Sequence, residues 1–381
     1  MKFQTTLMCM ALAAGFAAMA PAQADDEVVK IGHVAPITGN IAHLGKDNEN
    51  GARLAIDDLN SKGFTIGGKK VKFELVPEDD AADPKQGTAA AQKLVDEKVN
   101  GVVGHLNSGT TIPASKIYFD AGIPQISPSA TNPKYTQQGF KTAFRVVAND
   151  GQLGGTLGRY AVNTLHAKTI AVVSDKTAYG DGVANEFKKS AEKAGATIVD
   201  TEYTTNSATD FQAILTTIKG KKPDLIFYGG MDAQAGPLIR QMKQLGISAK
   251  VAGGDGICTP ELAKLAGDGM GDDQVYCAEA GGVGPDKEKG MDDFKARFKA
   301  KFGTEVEIYA PYTYDAVMVM ADAMKKAGSA DPAKYLPFLA KEDYNGVTGH
   351  ITFDEFGDIK DGSLTLYTYK GGNRDRLAVV K

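Results

Sequence analysis

Short apolar stretches alternate with amphipathic stretches along most of the chain. The apolar stretches end at glycine, proline or small polar residues, and their low polarity is typical of strands that helices cover on both faces. The amphipathic stretches repeat their apolar positions at helical spacing. In order, the first part of the chain predicts a strand at 28–38, a helix at 48–63, a strand at 69–80, a helix at 83–99, a strand at 101–106, a helix at 110–121 and a strand at 124–130. This alternation predicts an α/β fold built on parallel sheets.

The same alternation restarts after residue 144 and gives a second α/β unit. It predicts strands at 168–176, 196–204, 224–230 and 250–256, and helices at 152–167, 182–195, 210–220, 237–246 and 260–267. Three further helical stretches (292–303, 312–328, 331–342) and two β-rich stretches (351–360, 363–370) complete the chain. Because no proline- or serine-rich linker separates the units, we expect strand-like segments near residues 146–150 to cross between them as a hinge. We expect one lobe from residues 25–147 plus 279–357 and a second lobe from residues 148–278 plus 358–381.

The first 24 residues have the features of a secretory signal peptide. Lys2 precedes an apolar run, and the segment ends in Ala22-Gln23-Ala24, a small-residue pattern at which signal peptides are cut. A membrane anchor is the alternative, but the apolar run is too short to span a bilayer. We therefore expect cleavage after Ala24 and export to the bacterial periplasm.

Charge and cysteine content narrow the class of partner. The chain has 43 Lys and Arg residues against 47 Asp and Glu residues, and removal of Lys2 with the signal peptide leaves 42 − 47 = −5. A mildly acidic chain has no basic footprint for nucleic acid or anionic lipid. The two remaining cysteines, Cys258 and Cys277, predict a disulfide in an oxidising compartment. The five histidines have no metal-ligand spacing, so no metal site is expected.

Motifs for nucleotide binding and for catalysis fail on spacing. GNIAHLGK at 39–46 has one residue too many for a P-loop, and Asp47 stands where a magnesium-binding Ser or Thr is needed. GDGMG at 267–271 follows a predicted helix instead of a strand, and YGDGVAN at 179–185 lacks a third glycine. No G-x-S-x-G nucleophile motif occurs. The sequence therefore predicts neither a cofactor nor an enzyme.

Small polar and aromatic residues gather at the predicted carboxyl ends of the strands, where open α/β sheets bind ligands. In the first unit these include Ser108 and Thr131, and the start of helix 110–121 adds N–H groups and a positive dipole end that favour a carboxylate. In the second unit they are Tyr179, Met231 and Asp255. Taken singly, helix N-capping explains the hydroxyl cluster better, and Asp255 belongs to a common Asp-Gly turn pair. Their joint occurrence favours a site that holds the carboxylate and the ammonium group of an amino acid.

Six segments of the chain occur in an order and spacing typical of one family. They are PITGNIAHLGKDNENGARLAIDDLN, EDDAADPKQGTAAAQKLV, VVGHLNSGTTIPAS, PQISPSATNP, VSDKTAYGDG and FYGG. With these segments the chain resembles the periplasmic branched-chain amino acid (leucine/isoleucine/valine) binding proteins of ABC import systems, over nearly all of its length after residue 24. The resemblance implies a two-lobe type I periplasmic binding protein fold. Each lobe would be a parallel-type sheet flanked by helices, and crossing segments would form the hinge.

The resemblance also implies roles for individual residues. The implied ligand-binding residues are Leu44, Leu106, Ser108, Ser129, Ala130, Thr131, Tyr179, Met231 and Asp255. Ser108 and Thr131 would hold the ligand carboxylate, together with backbone groups near Leu106 and Ser129. Tyr179 would close over the ligand from the second lobe, and Asp255 would take its ammonium group.

Three of these positions depart from the pattern expected of the family. Asp255 stands where a longer glutamate is usual, so the ammonium group would sit closer or be bridged by water. Leu44 and Met231 stand where aromatic side chains often line the pocket, and methionine adapts its shape readily. Leucine, isoleucine and valine are the favoured ligands, and phenylalanine or a small polar amino acid stays open.

The expected function is capture of an amino acid between two lobes that close on their hinge, followed by delivery to ABC permease subunits. We expect a monomer with no cofactor and no nucleic-acid partner. A ligand-sensing module of the same fold, feeding a receptor instead of transport, is the alternative from another class. The signal peptide and the lack of an N-terminal helix-turn-helix disfavour it. An exported enzyme is a weaker third alternative.

Overall fold

Two sheets, one of six strands and one of seven, organise the chain, and a two-stranded hairpin adds to them. The computed structural model describes residues 27–380, so the predicted signal peptide at residues 1–24 lies outside the described chain. Each sheet is flanked by helices, and each sheet with its helices forms one lobe.

The first lobe is built on the six-stranded sheet, whose order is β2-β3-β1-β4-β5-β6. Its strands are β1 (Glu27–Ala35), β2 (Thr65–Ile66), β3 (Lys69–Asp79), β4 (Gly101–Gly104), β5 (Gln125–Ser127) and β6 (Ala143–Arg145). The helices between them are α1 (Ala42–Ser61), α2 (Pro84–Asp96), α3 (Ser108–Ala121) and α4 (Lys134–Gln137). The Asp83 side chain accepts hydrogen bonds from Lys85 N and Gln86 N, both at 2.9 Å, and so caps the N-terminus of α2.

The second lobe is built on the seven-stranded sheet, whose order is β15-β14-β11-β10-β9-β7-β8. Its strands are β7 (Thr169–Ser174), β8 (Thr197–Tyr203), β9 (Leu225–Gly229), β10 (Lys250–Gly253), β11 (Val275–Glu279), β14 (Leu364–Lys370) and β15 (Asn373–Val380). Its helices are α5 (Asp150–Asn163), α6 (Ala178–Lys193), α7 (Gln212–Lys221), α8 (Asp232–Gln244) and α9 (Glu261–Ala266), with short 3-10 helices at Asp255–Ile257 and Gly267–Gly269.

Both sheets are mixed, although a parallel arrangement was expected from the alternation of strands and helices. Strands β1, β3, β4, β5 and β6 pair in parallel, as do β7 to β11. The pairs β2–β3, β11–β14 and β14–β15 are antiparallel. The β14–β15 pair is antiparallel because the tight turn at Gly371 and Gly372, both with positive φ, returns the chain directly.

Helices α10 (Glu288–Phe302), α11 (Ala310–Ala327) and α12 (Pro332–Leu339) and the hairpin β12 (Asp343–Asn345) and β13 (His350–Thr352) follow β11. The chain thereby returns to the first lobe, where the Asp47 carboxylate of α1 accepts the N–H groups of Tyr309 at 2.7 Å and Ala310 at 2.9 Å. Gly51 permits this close approach, because a Cβ atom there would lie 2.2 Å from the Ala310 carbonyl oxygen. Asp47 therefore fixes the start of α11, and with it Tyr309, at the edge of the cleft between the lobes.

Three segments cross between the lobes, at residues 146–149, 280–287 and 353–363. Ala148 N donates to Ala280 O at 3.1 Å, which joins the first two segments, and Arg145 N at the end of β6 donates to Gly357 O of the third at 2.9 Å. The buried Arg145 guanidinium also pairs with Asp358. These contacts form the predicted hinge. The residue boundaries expected for the lobes, 25–147 plus 279–357 and 148–278 plus 358–381, stay a prediction.

Within residues 27–380, none of the helices combines the length and the apolar character that crossing a membrane requires.

Candidate functional site

A cavity of about 550 Å³ lies between the two lobes, a size typical of small-molecule sites. Its wall includes Asn40, Ile41 and Gly109 from the first lobe and Tyr179, Met231 and Gln234 from the second. Of the nine ligand-binding residues predicted from the sequence, Tyr179 and Met231 line this cavity. The other seven are buried and do not line this cavity.

On the first lobe, the turn from β4 into α3 carries Ser108. The Ser108 hydroxyl oxygen accepts the N–H of Asn132 at 3.2 Å, which leaves its own proton available to a ligand. The hydroxyl groups of Thr110 and Thr111 donate instead to the Asn107 carbonyl at 3.1 and 2.8 Å. Asn107 is the N-cap of α3 and makes no side-chain cap hydrogen bond. The alternative explanation, in which Ser or Thr side chains cap this helix, does not hold, because Asn107 is the N-cap and the threonine hydroxyls bond to its carbonyl.

The turn after β5 carries Ser129, Ala130 and Thr131. The Ser129 hydroxyl donates to the Leu106 carbonyl at 3.2 Å, which joins this turn to the end of β4. The Ser127 hydroxyl accepts the N–H of Ala130 at 2.9 Å. The structure therefore brings Leu106, Ser108 and the 129–131 turn together on one wall. Their roles toward a ligand stay a prediction.

On the second lobe, Asp255 and Tyr179 are in direct contact. The Tyr179 hydroxyl donates to Asp255 Oδ1 at 2.8 Å and accepts the N–H of Gly256 at 2.8 Å. The other carboxylate oxygen, Oδ2, accepts the hydroxyl of Tyr309 at 2.9 Å. Because Tyr309 belongs to the first lobe, Asp255 is one of the points at which the two walls meet.

Burial raises the pKa of Asp255 to about 6, although the hydrogen bonds from Tyr179 and Tyr309 act against this rise. The pKa values of both tyrosines lie well above the usual 10, because they too are buried and face the Asp255 charge. Both phenols therefore stay protonated and act as donors at neutral pH. An ammonium group would relieve the cost of the buried carboxylate.

Met231 lines the cavity, whereas Leu44 lies in the hydrophobic core. A Cβ atom on Gly256 would lie 2.8 Å from both Met231 Sδ and Tyr179 Cε1, so these two side chains meet beside the Asp255 turn. Leu44 is completely buried in the hydrophobic core and is absent from the cavity wall, where Ile41 of the same helix start lies. A role for Leu44 in the pocket stays a prediction.

Two residues near the site were missed by the sequence reasoning. Tyr309 lies 54 residues from Asp255 in sequence, and no local motif connects the two. Asp150 starts α5 and is completely buried beside Thr131, whose carbonyl accepts its N–H at 2.8 Å. An Asn-Asp pair before a helix normally indicates a cap, and Asn149 does form the capping box of α5. Because capping by Asn149 explains the Asn-Asp pair, the sequence gives no sign that Asp150 is buried.

The predicted disulfide is confirmed. Cys258 and Cys277 are bonded, with a Cα–Cα distance of 5.3 Å. Cys258 directly follows the 3-10 helix that begins at Asp255, so the bond ties this helix to β11. In the described part of the chain, no group of three or more His, Cys, Asp or Glu side chains is arranged to hold a metal ion.

The family model described as periplasmic binding protein matches residues 28–373. The chain belongs to the periplasmic binding protein family. The match covers both lobes and the three segments that cross between them.

Relatives of this periplasmic binding protein cover almost its whole length. A Leu/Ile/Val-binding protein homolog from Brucella abortus is 38% identical over 370 residues, which is 97% of each chain. A leucine-, isoleucine-, valine-, threonine- and alanine-binding protein from Pseudomonas aeruginosa is 36% identical over 356 residues, 93% of each chain. The solved structure of a branched-chain amino acid transporter substrate-binding protein from Streptococcus pneumoniae, in complex with isoleucine, is 29% identical with a TM-score of 0.84. It covers 93% of this chain and is itself covered completely, which confirms the type I fold.

Proposed function

We propose that the protein captures an amino acid in the cleft between its lobes and delivers it to the permease subunits of an ABC importer. The observation that carries this proposal is the buried Asp255 carboxylate, held by Tyr179 of one lobe and Tyr309 of the other. A buried acid at the meeting point of two lobes gives an ammonium ligand affinity for both of them. The names of the relatives in Brucella and Pseudomonas support the same ligand class.

The carboxylate end of the ligand binds at the start of α3. Thr110 N and Thr111 N donate to the Asn107 carbonyl, whereas the N–H groups of Ser108 and Gly109 donate to no backbone carbonyl among the described residues. Free N–H groups and the dipole of a 14-residue helix favour an anion at this end. The Ser108 hydroxyl adds a neutral donor, and Thr131 lies on the neighbouring turn.

The side chain of the ligand occupies the cavity between Ile41, Tyr179 and Met231. An apolar side chain gains about 25 cal/mol for each Å² removed from water. Leucine, isoleucine and valine are therefore the proposed ligands, with phenylalanine as the alternative because methionine adapts its shape readily. The protein releases its ligand unchanged and acts as a monomer in the periplasm, after removal of residues 1–24.

A thermal-shift screen of the mature protein, refolded free of carried-over ligand, against the twenty amino acids tests the ligand class. A ligand at 100 times its dissociation constant stabilises the folded state by about 2.7 kcal/mol. We expect upward shifts with leucine, isoleucine and valine. If only other amino acids raise the melting temperature, the ligand is one of those instead. If none of the twenty raises it, the amino-acid proposal is refuted.

Reconstituted uptake separates transport from the sensing alternative. The mature protein is added to proteoliposomes that contain the branched-chain permease of the same genome, with labelled leucine outside. We expect ATP-dependent uptake that requires the protein. Tight binding without uptake by any co-encoded permease would favour the sensing module.

A further inference from the structure

The cavity between the lobes is larger than a leucine, isoleucine or valine side chain requires. Its volume is about 550 Å³, whereas an apolar cavity of about 150 Å³ already holds a benzene molecule. Ile41, Tyr179 and Met231 supply an apolar part of the wall. The rest of the wall is largely polar and includes Asn107, Asp175, Lys176, Thr177, Asn206, Ser207 and Gln234. The cavity therefore has room for a longer ligand side chain and polar groups to receive its end.

Strand order shows the direction in which the cavity extends. In the second sheet Asp255 follows β10, Met231 follows β9 and Asp175 follows β7, and these three strands are adjacent in that order. Asn206 and Ser207 follow β8, which is the edge strand on the same side. The cavity thus runs along the strand ends, away from Asp255 and toward the β8 edge. A side chain that starts near Asp255 points along this path.

Two acceptor atoms in the polar wall have no donor among the described residues. Asp175 is 3% exposed, and its Oδ1 accepts the N–H of Thr177 at 2.9 Å and the Thr177 hydroxyl at 2.7 Å, whereas Oδ2 has no partner. The nearby Tyr228 hydroxyl is also buried and unpartnered, so it does not satisfy this oxygen. Asn107 Oδ1 is likewise buried without a partner, and it makes no cap hydrogen bond to α3. Buried acceptors without donors lower stability, so both atoms point to a donor on the ligand.

The other groups in this wall favour a neutral donor over a cation. Lys176 lines the cavity beside Asp175, and its Nζ lies 3.4 Å from the centroid of the exposed Tyr203 ring. A cationic side chain would face this like charge. A carboxamide carries two N–H donors without a net charge, and its carbonyl oxygen can accept from the hydroxyl of Ser207 or the amide of Gln234.

We propose that the cavity also binds an amino acid whose side chain is longer than that of leucine and ends in a carboxamide, as in glutamine. The apolar stem of this side chain packs between Ile41 and Met231, and its two N–H groups donate to Asp175 Oδ2 and Asn107 Oδ1. Each of these hydrogen bonds satisfies an acceptor that is otherwise buried and unpaired. This inference rests on the proposed function, since it requires the amino-acid head group to bind near Asp255.

Titration calorimetry of the wild-type protein with L-glutamine and with the γ-methyl ester of L-glutamate tests the N–H donors. The ester keeps the stem and the side-chain carbonyl but lacks both N–H groups. A hydrogen bond to a charged group contributes more than one to a neutral group. We therefore expect glutamine to bind at least about tenfold more tightly than the ester. Equal or weaker binding of glutamine would overturn the inference.

Asp175→Asn tests the charged acceptor. Asparagine keeps an oxygen for the N–H of Thr177 and places an NH₂ group, which opposes the ligand N–H, at the position of Oδ2. We expect the ratio of glutamine affinity to leucine affinity to fall at least about tenfold. Asp200→Asn is the matched control, because Asp200 also has one oxygen that accepts a backbone N–H, that of Thr201 at 3.0 Å, and one buried oxygen without a partner. Asp200 does not line the cavity, so this variant should keep the wild-type ratio.

Asn107→Ala removes the second acceptor without removing a cap hydrogen bond, and it should lower the same ratio about threefold. An unchanged ratio in both Asp175→Asn and Asn107→Ala would overturn the inference. So would tighter binding of arginine or lysine than of glutamine by the wild-type protein, because the cavity would then select a cationic side chain.

Failure of the inference is distinguishable from failure of the proposed function. Binding of leucine without binding of glutamine would overturn the inference while the proposed function stands. A wild-type protein that binds none of the twenty amino acids would refute the proposed function itself. Because glutamine and the ester are compared on the wild-type protein, this part of the test does not depend on the folding of a variant.

Discussion

His43 and Asp232 join the two lobes across the cleft, with His43 Nε2 2.8 Å from Asp232 Oδ2. His43 lies in the first turn of α1 in the first lobe, and Asp232 starts α8 in the second. Asp232 is completely buried, and the same oxygen accepts the Thr259 hydroxyl at 2.7 Å. Because this pair joins the two lobes, we expect a change in its strength to alter the equilibrium between open and closed lobes.

The strength of this pair depends on pH. Desolvation lowers the pKa of His43, but the hydrogen bond to Asp232 and the charges of Asp232, Glu307 and Glu261 outweigh it and raise the pKa above the usual 6.5. A raised pKa of a basic group means that its contribution is complete below pH 6.5 and is lost as the pH rises through the raised value. We expect His43→Gln to lower ligand affinity about two- to fivefold at pH 6 and less at pH 8.5.

Calorimetry of both proteins at pH 6, 7 and 8.5 measures this ratio of affinities. His350→Gln is the matched control, since His350 pairs with Asp343 at 2.9 Å on the exposed hairpin, away from the cleft. A ratio that does not change with pH would contradict the role of His43.

Asp255→Asn tests the proposed role of Asp255 in binding the ligand ammonium group. Asparagine keeps the shape of the side chain and one acceptor oxygen, but it removes the charge that faces the ligand. Removing one partner of a buried charge pair costs about 2–5 kcal/mol of binding free energy. We therefore expect at least about a 30-fold loss of leucine affinity by calorimetry. Binding within twofold of the wild-type value would show that another group holds the ammonium.

The fold could be predicted from the sequence because its buried strands and amphipathic helices have distinct periodicities. The strand predicted at 101–106 is β4, and the helix predicted at 110–121 is α3. Strand β15 was not predicted, since NRDRLAVV carries charges on both faces of its first half. It forms because the turn at Gly371 and Gly372 pairs it with β14.

The candidate site could be predicted only where its residues follow strands. Ser108 and Asp255 occupy such positions, and parallel sheets bring strand ends to one edge. Tyr309 reaches the cleft through a tertiary contact, because Asp47 of α1 binds the backbone at the start of α11. A side chain placed by an interaction between residues so far apart has no local sequence pattern.

Tyr309→Phe tests the contact that crosses the lobes at Asp255. The change removes the hydroxyl that donates to Asp255 Oδ2 at 2.9 Å and leaves the ring in place. A hydrogen bond to a charged group contributes about 1.5–3 kcal/mol, so we expect leucine affinity to fall about tenfold or more. Tyr203→Phe, at an exposed position in β8, is the control and should bind as the wild type does. Equal leucine affinities in Tyr309→Phe and Tyr203→Phe would show that the Tyr309 hydroxyl does not contribute to ligand binding.

His33 makes the stability of the first lobe depend on pH. It is completely buried in β1, with Nδ1 2.9 Å from the Val103 carbonyl oxygen, and desolvation lowers its pKa to about 4.

Below pH 6.5 the unfolded chain binds a proton at His33 that the native protein does not, so the stability present above pH 6.5 is lost as the pH falls toward 4. The two pKa values imply a loss of about 2 kcal/mol between pH 7 and pH 5. We expect urea unfolding to show that, between pH 7 and pH 5, His33→Gln loses about 2 kcal/mol less free energy of unfolding than the wild type does. Glutamine keeps an N–H donor for the Val103 carbonyl. The exposed His350→Gln variant should retain the wild-type dependence, and equal losses in wild type and His33→Gln would show that His33 is protonated in the native protein.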